Sequence, residues 1–122
     1  MDARVLICDP IARDGVAALE ASGATVDVKT GLSPEDLLGV VDGYEALVVR
    51  SETKITREVI EAASKLRVVG RAGVGVDNID LDAATERGVV VVNAPTGNTT
   101  SAAEHAIAAV LPKLGFAGAA SN

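Results

Sequence analysis

Short runs of aliphatic and β-branched residues recur along this chain, and stretches with helical spacing separate them. No other feature constrains the fold as tightly. Strands separated by helices pair in parallel, with helices laid against both faces of the sheet. Taken in order, Arg4 to Cys8, Ala24 to Val28, Ala46 to Val49, Arg67 to Val69 and Val89 to Val92 read as strands. Ile11 to Ala21 reads as a helix with Ala12, Val16 and Leu19 on one face, ended by Gly23. Ser33 suits the N-cap of a second helix, with Pro34 at its first position and Glu35 and Asp36 in its first turn. Thr56 caps a third helix through Ala63, and Asp80 to Arg87 forms a fourth that Gly88 closes. Thr99 or Thr100 starts a last helix that runs to about Leu111.

Right-handed crossovers leave few ways to arrange five such strands. The spacing predicts an α/β, flavodoxin-like fold: a five-stranded parallel sheet in the order 2-1-3-4-5 with helices on both faces. The 122 residues fit one domain. We divide them into a binding domain at 1–98, a crossover helix at 99–111 and a small-residue tail at 112–122 that reads as a frayed end or a cloning remnant. The only aromatics are Tyr44 and Phe116, so the core must be aliphatic. A formal charge of -6 without a basic face argues against nucleic acid. Cys8, the one cysteine, lies inside an apolar run and reads as a buried inert thiol. The start lacks the pattern of a signal peptide, and no apolar run approaches the roughly 20 residues of a membrane helix. A cytoplasmic location is the expectation, and it leaves the Asn98-Thr99-Thr100 sequon without meaning.

In sheets of this kind, ligands bind outside the carboxyl ends of the strands. Those ends carry Asp9-Pro10, Arg50-Ser51-Glu52-Thr53, Gly70-Arg71-Ala72-Gly73-Val74-Gly75 and Asn93-Ala94-Pro95. Arg50 and Arg71 therefore leave adjacent strands at one edge, each directly after an apolar run. Guanidinium groups bind carboxylate or phosphate bidentately, and glycines let backbone N–H groups approach an anion. Together they read as a site for a small acid with two anionic groups. The same residues admit a structural reading, in which the arginines pair with Asp9, Glu52 or Asp77.

Gly73-Val74-Gly75-Val76-Asp77-Asn78 falls short of a dinucleotide fingerprint. Asn78 stands at the third glycine, no long helix starts at the second, and no acid ends a following strand at the usual distance. A phosphorelay receiver would need an acid after the third strand, where Arg50 stands. His105, with Ser101 one turn before it, reads as an ordinary helix-face histidine, and no cluster predicts a metal.

Three segments carry a family resemblance: Leu47 to Ile55, Val69 to Asp80, and Asn93 to Glu104. In order and at this spacing they resemble the D-3-phosphoglycerate dehydrogenases, within the D-2-hydroxyacid dehydrogenase family, over about residues 3 to 109. The resemblance implies NAD-dependent oxidation of 3-phosphoglycerate, the step that opens serine biosynthesis. It also implies that Arg50, Ser51, Arg71, Gly73 and Asn98 bind substrate and that Val74, often threonine in relatives, touches the cofactor. Asn93 to Glu104 then matches the passage into a nucleotide-binding domain.

Beyond that point the sequence departs from the family. The glycine fingerprint and the catalytic Arg, Glu and His of that second domain have no counterpart here, and Lys113 stands where Pro112-Lys113-Leu114-Gly115 would carry the histidine. The expectation is a substrate-binding domain, inactive and without NAD as an isolated chain. The alternatives are a flavodoxin-like scaffold with no catalytic role and a regulatory anion-binding module. Residues 100–111 are apolar nearly all round and are expected to pair two copies of the chain.

Overall fold

The computed structural model describes residues 4–10, 16–17, 20–21, 24–72 and 77–94. Five strands form one parallel sheet: β1 (Arg4–Ile7), β2 (Thr25–Val28), β3 (Ala46–Val49), β4 (Val68–Ala72) and β5 (Val90–Ala94). Their order is β2-β1-β3-β4-β5, as the alternation predicts. Three helices intervene: α1 (Pro34–Val40), α2 (Arg57–Ala62) and α3 (Leu81–Arg87). A single 3-10 turn, Val41–Gly43, continues from α1. Residues 16, 17, 20 and 21 are helical, inside the stretch expected to form the first helix. The final helix expected at 99–111 lies outside the described residues.

Local chemistry explains each helix start. Ser33 Oγ accepts from the Asp36 N–H at 3.1 Å, with Pro34 opening the helix. Thr56 Oγ1 accepts from the Val59 N–H at 3.3 Å. Asp80 Oδ1 accepts from the Ala83 N–H at 2.9 Å, so Asp80 is a cap rather than the first helical residue. Gly88 closes α3 at φ 70, a left-handed conformation that glycine reaches without steric cost.

Alternation along the strands sorts the aliphatic residues into two cores. Leu6, Cys8, Leu47, Val49 and Val69 face α1, α2 and α3, which contribute Leu37, Val59, Ile60, Ala83 and Ala84. Val5, Ile7, Ala46, Val48 and Val68 face the opposite way, where Val16 and Ala24 pack. Both sheet faces are therefore covered, which is why the central strands are apolar throughout.

The structure extends β4 beyond the expected end. Val69 closes the apolar run, yet the ladder continues through Arg71 and Ala72, opposite Asn93 and Ala94 of a β5 that is also longer than expected. Backbone pairing does not depend on side-chain polarity, so a polar residue continues a strand wherever its side chain finds partners. Arg71 is consequently a strand residue, not a loop residue, and it is buried at 6% exposure.

Candidate anion site at the carboxyl edge of the sheet

Arg71 pairs with Val49 across the β3–β4 ladder, one residue before Arg50. The two predicted arginines are thus brought to one edge of the sheet on neighbouring strands. By alternation from Val69, the Arg71 side chain lies on the face covered by the described helices. Its Nε–H donates to Asn78 Oδ1 at 2.6 Å. Arg50 is half-buried, and its Nη1 reaches the Pro10 carbonyl oxygen only at 3.5 Å. Ser51 is exposed on the same loop. Gly73, Val74 and Asn98 lie outside the described residues.

The acids do not act as the structural reading supposed. Asp9, 2% exposed, bonds the backbone of the loop and not the guanidinium of Arg50. Its Oδ2 accepts from the N–H groups of Arg50 at 2.7 Å and Thr53 at 3.1 Å. Its Oδ1 accepts from the Thr53 hydroxyl. Glu52 and Asp77 are exposed, and Arg50 has no ion pair among the described residues. The Arg50 charge is therefore not spent on Asp9. Asn78, 8% exposed, completes the arrangement by donating through Nδ2 to the carbonyls of Arg50 and Thr53, both at 2.7 Å.

Asp9 and Asn78 are the residues that sequence reasoning undervalued. Asp9 drew notice only as a partner for an arginine or as a receiver-type acid, and Asn78 only as the residue that breaks a glycine fingerprint. A usable signal was present: each is a short polar side chain directly beside a buried apolar residue, where an unpaired polar group is costly. Cys8, next to Asp9, is a buried free thiol, 2% exposed. Burial, and then the neighbouring Asp9 charge, push its thiol up to about 12, so the reactive thiolate is suppressed.

A cavity of about 410 Å³ opens beside this network, between Gly31–Leu38 and Glu52–Val59. Asp9 and Thr53 form part of its wall, but Arg50 and Arg71 do not line it. Its lining is largely apolar, and its one cation, Lys54, is outnumbered by Glu52 and Glu58.

The helix that follows β4 opens on a carboxylate. Pyrophosphate groups bind helix N-termini through free N–H donors. At the start of α3 the Asp80 carboxylate already takes the Ala83 N–H, which places negative charge where a pyrophosphate would sit. Among the described residues no group of His, Cys, Asp or Glu could hold a metal ion, and no helix is long and apolar enough to cross a membrane.

The parallel sheet is that of a known family. Residues 5–121 match the family described as D-isomer specific 2-hydroxyacid dehydrogenase, catalytic domain, and the chain belongs to that family. Its relatives include D-3-phosphoglycerate dehydrogenase of Archaeoglobus fulgidus, 57% identical over 88% of this chain and 20% of the relative. Another is D-3-phosphoglycerate dehydrogenase 2, chloroplastic, of Arabidopsis thaliana, 58% identical over 86% of this chain and 17% of the relative. Among solved structures, the NAD+-bound 3-phosphoglycerate dehydrogenase of Entamoeba histolytica superposes with a TM-score of 0.71. That match has 30% identity and covers 78% of this chain and 33% of the other. The chain spans about a fifth of the length of the curated relatives it matches.

Proposed function

We propose that these residues form the substrate-holding side of a phosphoglycerate dehydrogenase, the NAD-dependent enzyme that opens serine biosynthesis. Arg50 and Arg71 hold the two anionic groups of 3-phosphoglycerate, with Ser51, Gly73 and Asn98 lining the same cleft. The observation that carries this reading is the buried guanidinium of Arg71 at the carboxyl edge of the sheet, one ladder position from Arg50. A buried cation attracts an anion in a medium of low effective dielectric, so its charge acts more strongly than on the surface. Val74 is the one residue we assign to cofactor contact. The carboxylate at the start of α3 supports a cofactor held by other parts of a longer enzyme. In this reading residues 1–98 are the binding domain, 99–111 lead toward the nucleotide-binding part, and the 122-residue chain binds substrate without oxidising it.

An NMR titration of the chain with 3-phosphoglycerate tests the proposal. Millimolar affinity is expected, about 4 kcal/mol, since only part of the ligand is enclosed. Shifts should cluster at residues 50–53 and 70–75 and disappear in Arg71→Ala. Shifts of equal size in that variant would leave only diffuse charge attraction and favour the scaffold alternative.

A further inference from the structure

Asp9, Arg71 and Asn78 are the buried polar or charged residues among those described, and all three meet at one place. We infer that Asn78 is a positioning residue for the anion site: it orients the Arg71 guanidinium and ties it to the loop that carries Arg50 and Ser51. The inference rests on the substrate reading above for what the site binds, but not for the geometry.

Each polar atom of the Asn78 amide is used. Oδ1 accepts from Arg71 Nε, and the two Nδ2 hydrogens go to the Arg50 and Thr53 carbonyls. The partners settle which end of the amide is which, because two carbonyls can receive only donors. The backbone reinforces the link. The Ile55 N–H donates to the Asn78 carbonyl at 2.8 Å, and the Asp80 N–H donates to the Ile55 carbonyl at 2.9 Å. This forms a parallel bridge between Ile55 and Ile79. On its far side the same loop is held by Asp9, through the N–H groups of Arg50 and Thr53.

An amide suits this position where an acid would not. Asn78 holds Arg71 through Nε alone, which fixes the guanidinium plane without engaging either terminal nitrogen. Being neutral, Asn78 orients the charge without itself cancelling it. An aspartate would neutralise Arg71 and turn an oxygen toward two carbonyls, a repulsive contact in a buried site.

The test uses the 122-residue chain and 3-phosphoglycerate. In the unsubstituted chain the Arg71 Nε–H should exchange slowly with solvent by nitrogen-edited NMR. Exchange as fast as that of the exposed Arg67 would overturn the inference without any variant. Asn78→Leu should shift the Arg71 Nε–H resonance and leave the β1 and β3 amides in place. It should also weaken binding roughly tenfold or more, the worth of a hydrogen bond to a charged group. Asn78→Asp should retain the Nε–H bond yet weaken binding as much. In an Arg71→Lys background, which keeps a cation but lacks the Nε–H, Asn78→Leu should cost nothing further, because Asn78 acts through that Nε–H. Equal losses in the two backgrounds would mean that Asn78 supports only the fold, and the inference would fail. If the unsubstituted chain does not bind 3-phosphoglycerate, the substrate reading fails, and the Arg71 exchange rate alone decides the positioning role.

Discussion

Tyr44 is the chain's one tyrosine, and its hydroxyl donates to Asp27 Oδ2 at 2.5 Å while the Arg4 guanidinium lies 4.6 Å from its ring centre. Burial, and then the Asp27 hydrogen bond, push this hydroxyl up to about 12. An unfolded chain's tyrosine titrates near about 10. The folded state therefore holds the phenolic proton more tightly. The stability this contributes is complete below the unfolded value and is lost as pH rises through about 12. We predict a phenolate absorbance midpoint near 12 and stability that declines through that window. Tyr44→Phe should flatten the decline, whereas a midpoint at the ordinary tyrosine value would contradict the packing described. At this scale the sequence was only partly readable. Arg50 and Arg71 stood out because each follows an apolar run. The partnership of Asp9 with the backbone of residues 50 and 53, which are more than forty positions away, had no local signature.

The same chemical change at two glycines should move stability in opposite directions. Gly39 lies inside α1, exposed, and an added Cβ would meet nothing within 4 Å. Gly39→Ala should stabilise by about 0.5–1 kcal/mol, by restricting the unfolded chain and favouring the helix. A Cβ at Gly88 would also meet nothing within 4 Å, but its φ of +70 strains any residue with a side chain. Gly88→Ala should destabilise by about 1 kcal/mol. Urea unfolding measures both as shifted midpoints with unchanged slope. Caps and turns were largely legible from sequence because they obey local rules: Ser33, Thr56 and Gly88 act where their types predict, and Asp80 caps the helix it was expected to open. Strand ends were not, because a ladder stops where its neighbour stops. The continuation of β4 through Arg71 depended on β5, some twenty residues later.

At the scale of the whole molecule, the prediction concerns a second copy of the chain. Residues 102–111 place only Glu104 and His105 among apolar neighbours. A helix that is apolar nearly all round needs burial on more than one side. We expect micromolar self-association through residues 100–111, with two-fold symmetry as the default. Sedimentation equilibrium should show a dimer that Ile107→Glu dissociates, and a monomer at hundreds of micromolar would refute it. The sequence by itself determined the class of fold, since alternating strand and helix periods leave parallel pairing and covered faces as the way to bury so many aliphatic residues. It also determined the strand order and the two arginines at one edge, because topology follows from short right-handed connections. What only the tertiary structure decided is how those arginines are held. Asp9 grips the backbone of one loop, and Asn78 joins that loop to Arg71. Those bonds link residues far apart in the chain, and hydrogen-bond partners of that kind are set by three-dimensional proximity, which no local pattern of residue types records.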